Sequence, residues 1–203
     1  MDDLHLIVGL GNPGREYAGT RHNIGVMLCE RLGANWKAAW NFESKFDARL
    51  ASIWVGGKRV LLCEPMTFMN ASGKATGAVM KFYRVEPERT LVVSDDADLP
   101  LGQIRLRASG GTGGHRGLES VWDHMGTDGF PRLRIGIGRR ADGVREITGH
   151  VLGRFGADET PVLDKVLDRA ARQAETWVRE GIEKAMCQFN GAISGSEEAK
   201  ETE

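Results

Sequence analysis

His22 is the side chain in this chain best suited to taking a proton from water, and Asp95 is the carboxylate best suited to support it. His22 sits in the stretch 4–25, LHLIVGLGNPGREYAGTRHNIG, where an apolar run and a glycine-rich break lead to Thr-Arg-His-Asn at a predicted helix start. An imidazole near its unperturbed pKa is a competent general base at neutral pH. A helix N-terminus disfavours the imidazolium and so helps keep the ring neutral before reaction. Asp95 closes the apolar run Leu91-Val92-Val93-Ser94. A carboxylate beside such a base can orient it and stabilise the charge it gains. By residue type alone, His22 could equally be a surface or helix-capping residue.

Asn12 and Asn70 add uncharged groups that both donate and accept hydrogen bonds, suited to a peptide carbonyl and N–H. Their ordinary alternatives are a turn residue beside Pro13 and a cap residue before Ala71. The segment 109–117 holds five glycines in nine residues, with His115 and Arg116 projecting from it. Such a loop is too flexible for a helix and can expose backbone N–H groups to phosphate or carbonyl oxygen. Asp95, Asp96 and Asp98 together could instead hold Mg²⁺. No second acidic cluster or His/Asp pair accompanies them in the sequence, so no metal and no cofactor is expected.

Elements must bring these groups together, and the pattern predicts an α/β domain with a central mixed, twisted sheet flanked by helices. Strands are expected over 4–10, 90–95, 102–107 and 132–138. A hairpin of 46–55 and 58–63 turns at Gly56-Gly57. Helices are expected over 22–33, capped by Thr20, over 72–83, capped by Ser72, and from Gly117 to about Met125. A long helix over 158–181 has Pro161 in its first turn and Val162, Val166, Leu167, Ala170, Ala174 and Val178 on one face. Catalytic groups at strand ends would then lie in the crevice at the carboxyl edge of the sheet.

Two nucleotide-binding motifs fail on physical grounds. Gly9-Leu10-Gly11-Asn12-Pro13-Gly14 fits GxGxxG, but that fingerprint needs a helix opening inside it, and Pro13, Gly14 and Gly19 oppose one. Ser72-Gly73-Lys74-Ala75 lacks the first glycine of a P-loop, since residue 68 is Phe, and no Ser or Thr follows the Lys.

The 203 residues suit one domain over 1–192, with a small, acidic tail over 193–203 predicted to be disordered. Cys29, Cys63 and Cys187 are odd in number and lack CxxC spacing, which predicts buried free thiols in a reducing cytoplasm. The N-terminus has no basic run and too short an apolar stretch for a signal peptide or membrane span. Net charge is −1, yet 103–145 carries eight arginines against four acids, whereas the chain from 155 onward carries eleven acids against six bases. That asymmetry points to a local polyanion site.

The chain resembles the bacterial-type peptidyl-tRNA hydrolase family. The resemblance rests on four blocks: the N-terminal stretch with TRHN, PMTFMNASGKA from Pro65, SDDADLPLGQIRLRASGGTGGHRGL from Ser94, and PRLRIGIGR from Pro131. It implies a cytoplasmic, monomeric and metal-independent hydrolase of the ester between a peptide and the 3′ end of tRNA. His22 matches the family's base, Asp95 its orienting acid and Asn12 the group that distinguishes a blocked amine from a free one. Asn70, Tyr17, Phe68 and His115 match substrate-side positions, and Arg105, Arg107 and Arg134 match positions expected to hold tRNA phosphates. Ser94 stands where the family usually carries His, and Arg116 where it commonly carries Asn. The rivals are a catalytically idle RNA-binding relative, like the plant-organelle splicing factors resembling this family, and a nucleotide or Mg²⁺-phosphate enzyme.

Overall fold

The computed structural model describes residues 4–138 and 147–193. The basic positions Arg139, Arg140 and Arg145 and nearly all of the predicted acidic tail lie outside the described residues. An eight-stranded mixed sheet runs in the order β2-β3-β4-β1-β5-β7-β6-β8. Its centre is parallel: β1 (Leu4–Gly9) lies between β4 (Lys58–Pro65) and β5 (Thr90–Asp96), and β5 pairs with β7 (Arg132–Gly136). These runs are apolar and buried because helices cover both faces. The flanks are antiparallel: β2 (Asn41–Glu43) and β3 (Ala48–Val55) extend β4, while β6 (Gln103–Arg107) and β8 (Gly191–Ala192) extend β7.

One face packs α1 (Ile24–Asn35), α5 (Thr160–Glu180) and α6 (Ile182–Phe189), with Leu28, Leu32, Val166, Ala170 and Phe189 against Ile7, Leu62, Leu91 and Ile135. The other packs α2 (Ser72–Tyr83) and α3 (Arg116–Met125), with Val79, Met80, Leu118 and Val121 against Leu6, Val8 and Val92. A short helix α4 (Ile147–Val151) precedes α5. Among the described residues no helix is long and apolar enough to cross a membrane.

The predicted strands and long helices are present, and the differences lie at their ends. The helix expected from residue 22 begins at Ile24 after a tight turn over Arg21–Asn23, and the Thr20 hydroxyl donates to the Tyr17 carbonyl instead of capping it. Ser72 is the first residue of α2 rather than its cap. Gly181 separates α5 from α6, an element not expected from sequence. The strands β2 and β8 and the helix α4 were also not expected; each is too short for its own periodicity to show. Cys29 and Cys63 are buried as expected, but Cys187 is exposed, because its position on α6 faces away from the sheet.

Two glycines bring α1 against the end of β1. A Cβ on Gly9 would stand 2.3 Å from the Gly25 carbonyl oxygen, and one on Gly25 would stand 2.5 Å from that of Val93. Only glycine permits this approach. It seats the turn carrying His22 beside the end of β5, where Asp95 emerges.

Candidate active site

Asp95 lies at the end of the central strand β5, 5% exposed, and receives two imidazoles on one oxygen. His22 Nδ1 is 2.8 Å and His115 Nε2 is 2.9 Å from Asp95 Oδ1. The two rings have centroids 5.1 Å apart. His115 caps α3, its Nδ1 accepting from the backbone N–H groups of Gly117 at 3.1 Å and Leu118 at 3.2 Å. A ring nitrogen that accepts carries no proton, so the His115 proton is on Nε2 and points at Asp95. Burial alone would push the Asp95 carboxyl up. The hydrogen bonds from His115 and His22 outweigh burial and hold it well below the usual carboxylate range. Ionised Asp95 therefore accepts a hydrogen bond from the Nδ1–H of His22, which leaves the lone pair on Nε2.

These three groups each offer an atom within 4.8 Å of the others, which is also the spacing of a metal site. The tautomers argue against one. To bind a cation through Nε2, neutral His115 would have to carry its proton on Nδ1, against two backbone donors. The neighbouring acid is committed elsewhere: Asp96 faces Arg105 at 3.3 Å and Arg134 at 3.2 Å, and accepts from the Asp98 N–H at 2.8 Å. The acidic run is thus divided between two jobs and does not converge on one ion.

His22, Asp95 and His115 line an open cleft of about 740 Å³, along with Asn12, Phe68, Met69, Asn70, Arg116 and Arg134. Asn12 is held on three sides. Its backbone N–H donates to Asn23 Oδ1, its carbonyl accepts from Asn23 Nδ2, and its Oδ1 accepts from the Met69 N–H, at 2.9, 2.9 and 2.8 Å. The bond from Met69 fixes which way the Asn12 amide points: its NH₂ is open to a ligand, and Oδ1, already accepting one bond, keeps a second lone pair. Asn70 is exposed at the rim. Phe68 is 59% exposed, and Tyr17 meets it edge-on at 6.4 Å from outside the cleft lining.

The predicted phosphate-binding arginines fall into different settings. Arg107 is exposed at the end of β6. Arg105 is partly exposed and tied to Asp96, and Arg134 is largely buried in the cleft wall, shared between Asp96 and the Gly111 carbonyl. Arg132, counted in the basic segment, is only 1% exposed. The segment's local charge is thus less available than its composition suggests. Residues that sequence reasoning passed over are Asn23, which fixes Asn12, and the apolar pair Val151 and Leu152 in the cleft lining; Asp96, weighed only as a cation ligand, instead holds Arg105 and Arg134. Asn23 adjoins His22 in sequence, but no local pattern pairs it with Asn12, eleven residues back.

A family model described as peptidyl-tRNA hydrolase matches residues 6–200. A peptidyl-tRNA hydrolase of Synechococcus sp. (strain JA-3-3Ab) is 48% identical over 188 residues, covering 92% of this chain and 83% of the relative. One from Synechocystis sp. (strain ATCC 27184 / PCC 6803 / Kazusa) is 44% identical, covering 91% and 95%. The crystal structure of peptidyl-tRNA hydrolase from Acinetobacter baumannii superposes with a TM-score of 0.88 at 39% identity, covering 95% of this chain and 97% of that one. An Arabidopsis thaliana 5′-methylthioadenosine nucleosidase, at TM-score 0.52 and 8% identity, shares the fold alone. By sequence across nearly its whole length and by structure, the chain belongs to the peptidyl-tRNA hydrolase family.

Proposed function

We propose that this protein hydrolyses the ester joining a peptide, or an N-blocked aminoacyl group, to the 3′ end of tRNA, with His22 as general base. The observation that carries the reading is the His22–Asp95 pair at 2.8 Å in a cleft that also holds the Asn12 amide. Water gives a proton to His22 Nε2 as its oxygen bonds to the acyl carbon. The bond from that carbon to the ribose oxygen then breaks, and the His22 proton passes to the leaving oxygen. Asp95 stabilises the imidazolium between these steps, and His115, donating to the same carboxylate oxygen, keeps Asp95 in place.

The Asn12 NH₂ is suited to a carbonyl of the substrate, and Asn70 to the peptide main chain. Tyr17 and Phe68 offer a ring face for the terminal base or the peptide end. Arg116 and Arg134 would meet charge at the substrate end, while Arg105 and Arg107 face the body of the tRNA and supply affinity without reading sequence. No metal or cofactor takes part, and the enzyme acts as a monomer in the cytoplasm. An idle RNA-binding relative would have no need of a base held by a buried acid.

The test is to incubate the purified protein with N-acetyl-aminoacyl-tRNA and with free aminoacyl-tRNA, with and without EDTA. Cleavage of the blocked substrate alone, insensitive to EDTA, is expected. Loss of activity in EDTA would overturn the metal-free mechanism, and cleavage of neither substrate would overturn the hydrolase reading.

A further inference from the structure

Residues 110–114, four glycines and one threonine, run into the wall of the cleft, which Thr112, Gly113 and Gly114 line. Gly110, Gly113 and Gly114 have φ of 144°, 61° and 74°, conformations that side-chain-bearing residues rarely adopt. A Cβ built on Gly110, Gly111 or Gly114 would meet nothing within 4 Å. Glycine supplies little intrinsic preference there. Thr112 ties the far end, its carbonyl accepting from the His115 N–H and its hydroxyl from the Gly114 N–H, while the Gly110 and Gly111 carbonyls rest on a guanidinium beneath.

Arg132, on β7, is among the largest fully buried side chains, stacked 4.1 Å over the Phe130 ring. Its hydrogen bonds all end on main-chain carbonyls. Nη1 donates to Gly110 and, at 3.3 Å, to Gly111; Nη2 donates to Asp128 at 2.7 Å and to Phe130 at 3.3 Å. One pleat further along β7, Arg134 also donates to the Gly111 carbonyl. Burying a guanidinium on carbonyls alone is costly, and an apolar residue would pack the site more cheaply. The planar fork does what no apolar residue can, spanning two loops at once.

We propose that Arg132 is a positioning residue for substrate binding, pinning the glycine-rich wall in the shape that faces the peptidyl-tRNA end. Across a trans peptide, C=O and N–H point in opposite directions. Drawing the Gly110 and Gly111 carbonyls down onto Arg132 and Arg134 therefore aims the N–H groups of Gly111 and Thr112 away from β7. Thr112, Gly113 and Gly114, next along the chain, line the cleft. A lysine at 132 would keep the charge but not the fork, and would leave the wall free to change shape. The inference rests on the proposed hydrolase activity only for its kinetic readout.

The test compares wild type with Arg132→Lys and Gly110→Ala, using amide hydrogen exchange over 109–116 and kinetics on N-acetyl-aminoacyl-tRNA. In Arg132→Lys, exchange across the wall should rise by about tenfold or more while strand β7 stays protected. KM should rise by about five- to fiftyfold with kcat within about threefold, because His22 and Asp95 are held by other elements. Gly110→Ala, strained at its φ, should raise KM similarly, and the double variant should show less than the product of the two effects. Unchanged exchange over 109–116, or a loss of protection spread over the whole molecule, would overturn the proposal. If Arg132→Lys does not fold, Gly110→Ala decides: a raised KM supports the pinned wall, and an unchanged KM refutes it. If wild type cleaves nothing, the hydrolase reading falls, while the exchange data still test whether Arg132 holds the wall.

Discussion

Replacing Asp95 by Asn removes one charge and leaves the outline of the site intact. Both imidazoles can still donate to the remaining carbonyl oxygen, so substrate binding should hardly change. The loss appears when His22 takes its proton and the 2.8 Å contact becomes an ion pair. Unit charges about 4 Å apart are worth about 4 kcal/mol at an effective dielectric constant near 20. Asp95 and His22 are only 4% and 14% exposed, so solvent screens the pair little. With the proton about half transferred at the transition state, roughly 2 kcal/mol is lost, or about 30-fold in rate. A share of molecules with the amide NH₂ turned towards His22 would deepen this to about 10³-fold, the wrong-tautomer effect. Steady-state kinetics on N-acetyl-aminoacyl-tRNA should show kcat falling by about 30- to 1,000-fold, with KM within about threefold. His22→Asn sets the ceiling, at about 10²- to 10⁴-fold. A loss below threefold, or an equal change in KM, would refute the role given to Asp95.

The tRNA face can be tested by salt titration of binding: Arg107→Ala should flatten the log–log slope by about 0.7 to 0.9, and Arg105→Ala by less, since Asp96 already shares its charge. Equal effects from both would show that the Asp96 contact yields to phosphate. Arg116→Asn should keep activity within about tenfold at low salt and reduce the salt slope by about 0.7, and an unchanged slope would show that Arg116 does not meet phosphate. Away from the site, burial pushes the Glu64 carboxyl up to about 7, against the pull of Arg49 and with a further rise from Glu30. Its native pKa lies above the unfolded value, so ionising Glu64 costs stability as pH rises from about 4.3 towards 7. Glu64→Gln should gain about 1–3 kcal/mol relative to wild type between pH 5 and pH 8 in denaturant melts, and a pH-independent difference would refute this.

Periodicity and composition carried the central architecture, since buried parallel strands are continuous apolar runs and long amphipathic helices repeat over several turns. They did not carry β2, β8 or α4, which are short elements defined by their partners. The end of α5 was legible, expected at Gly181 and found at Glu180, but α6, which follows directly after Gly181, was not.

In the site the same division holds. Residue type and order nominated His22, Asp95 and Asn12, because few side chains can serve as base, acid partner or neutral donor, and the family resemblance added His115. Which atom meets which was decided only by packing. Contacts that span long stretches of chain set the two imidazoles on one oxygen of Asp95, oriented Asn12 by bonding its Oδ1 to the Met69 N–H, and divided the arginines of β6 and β7 between Asp96, the glycine-rich wall and solvent. A sequence lists the donors and acceptors available to a site; their pairing depends on directions and distances that exist only once the sheet has closed around them.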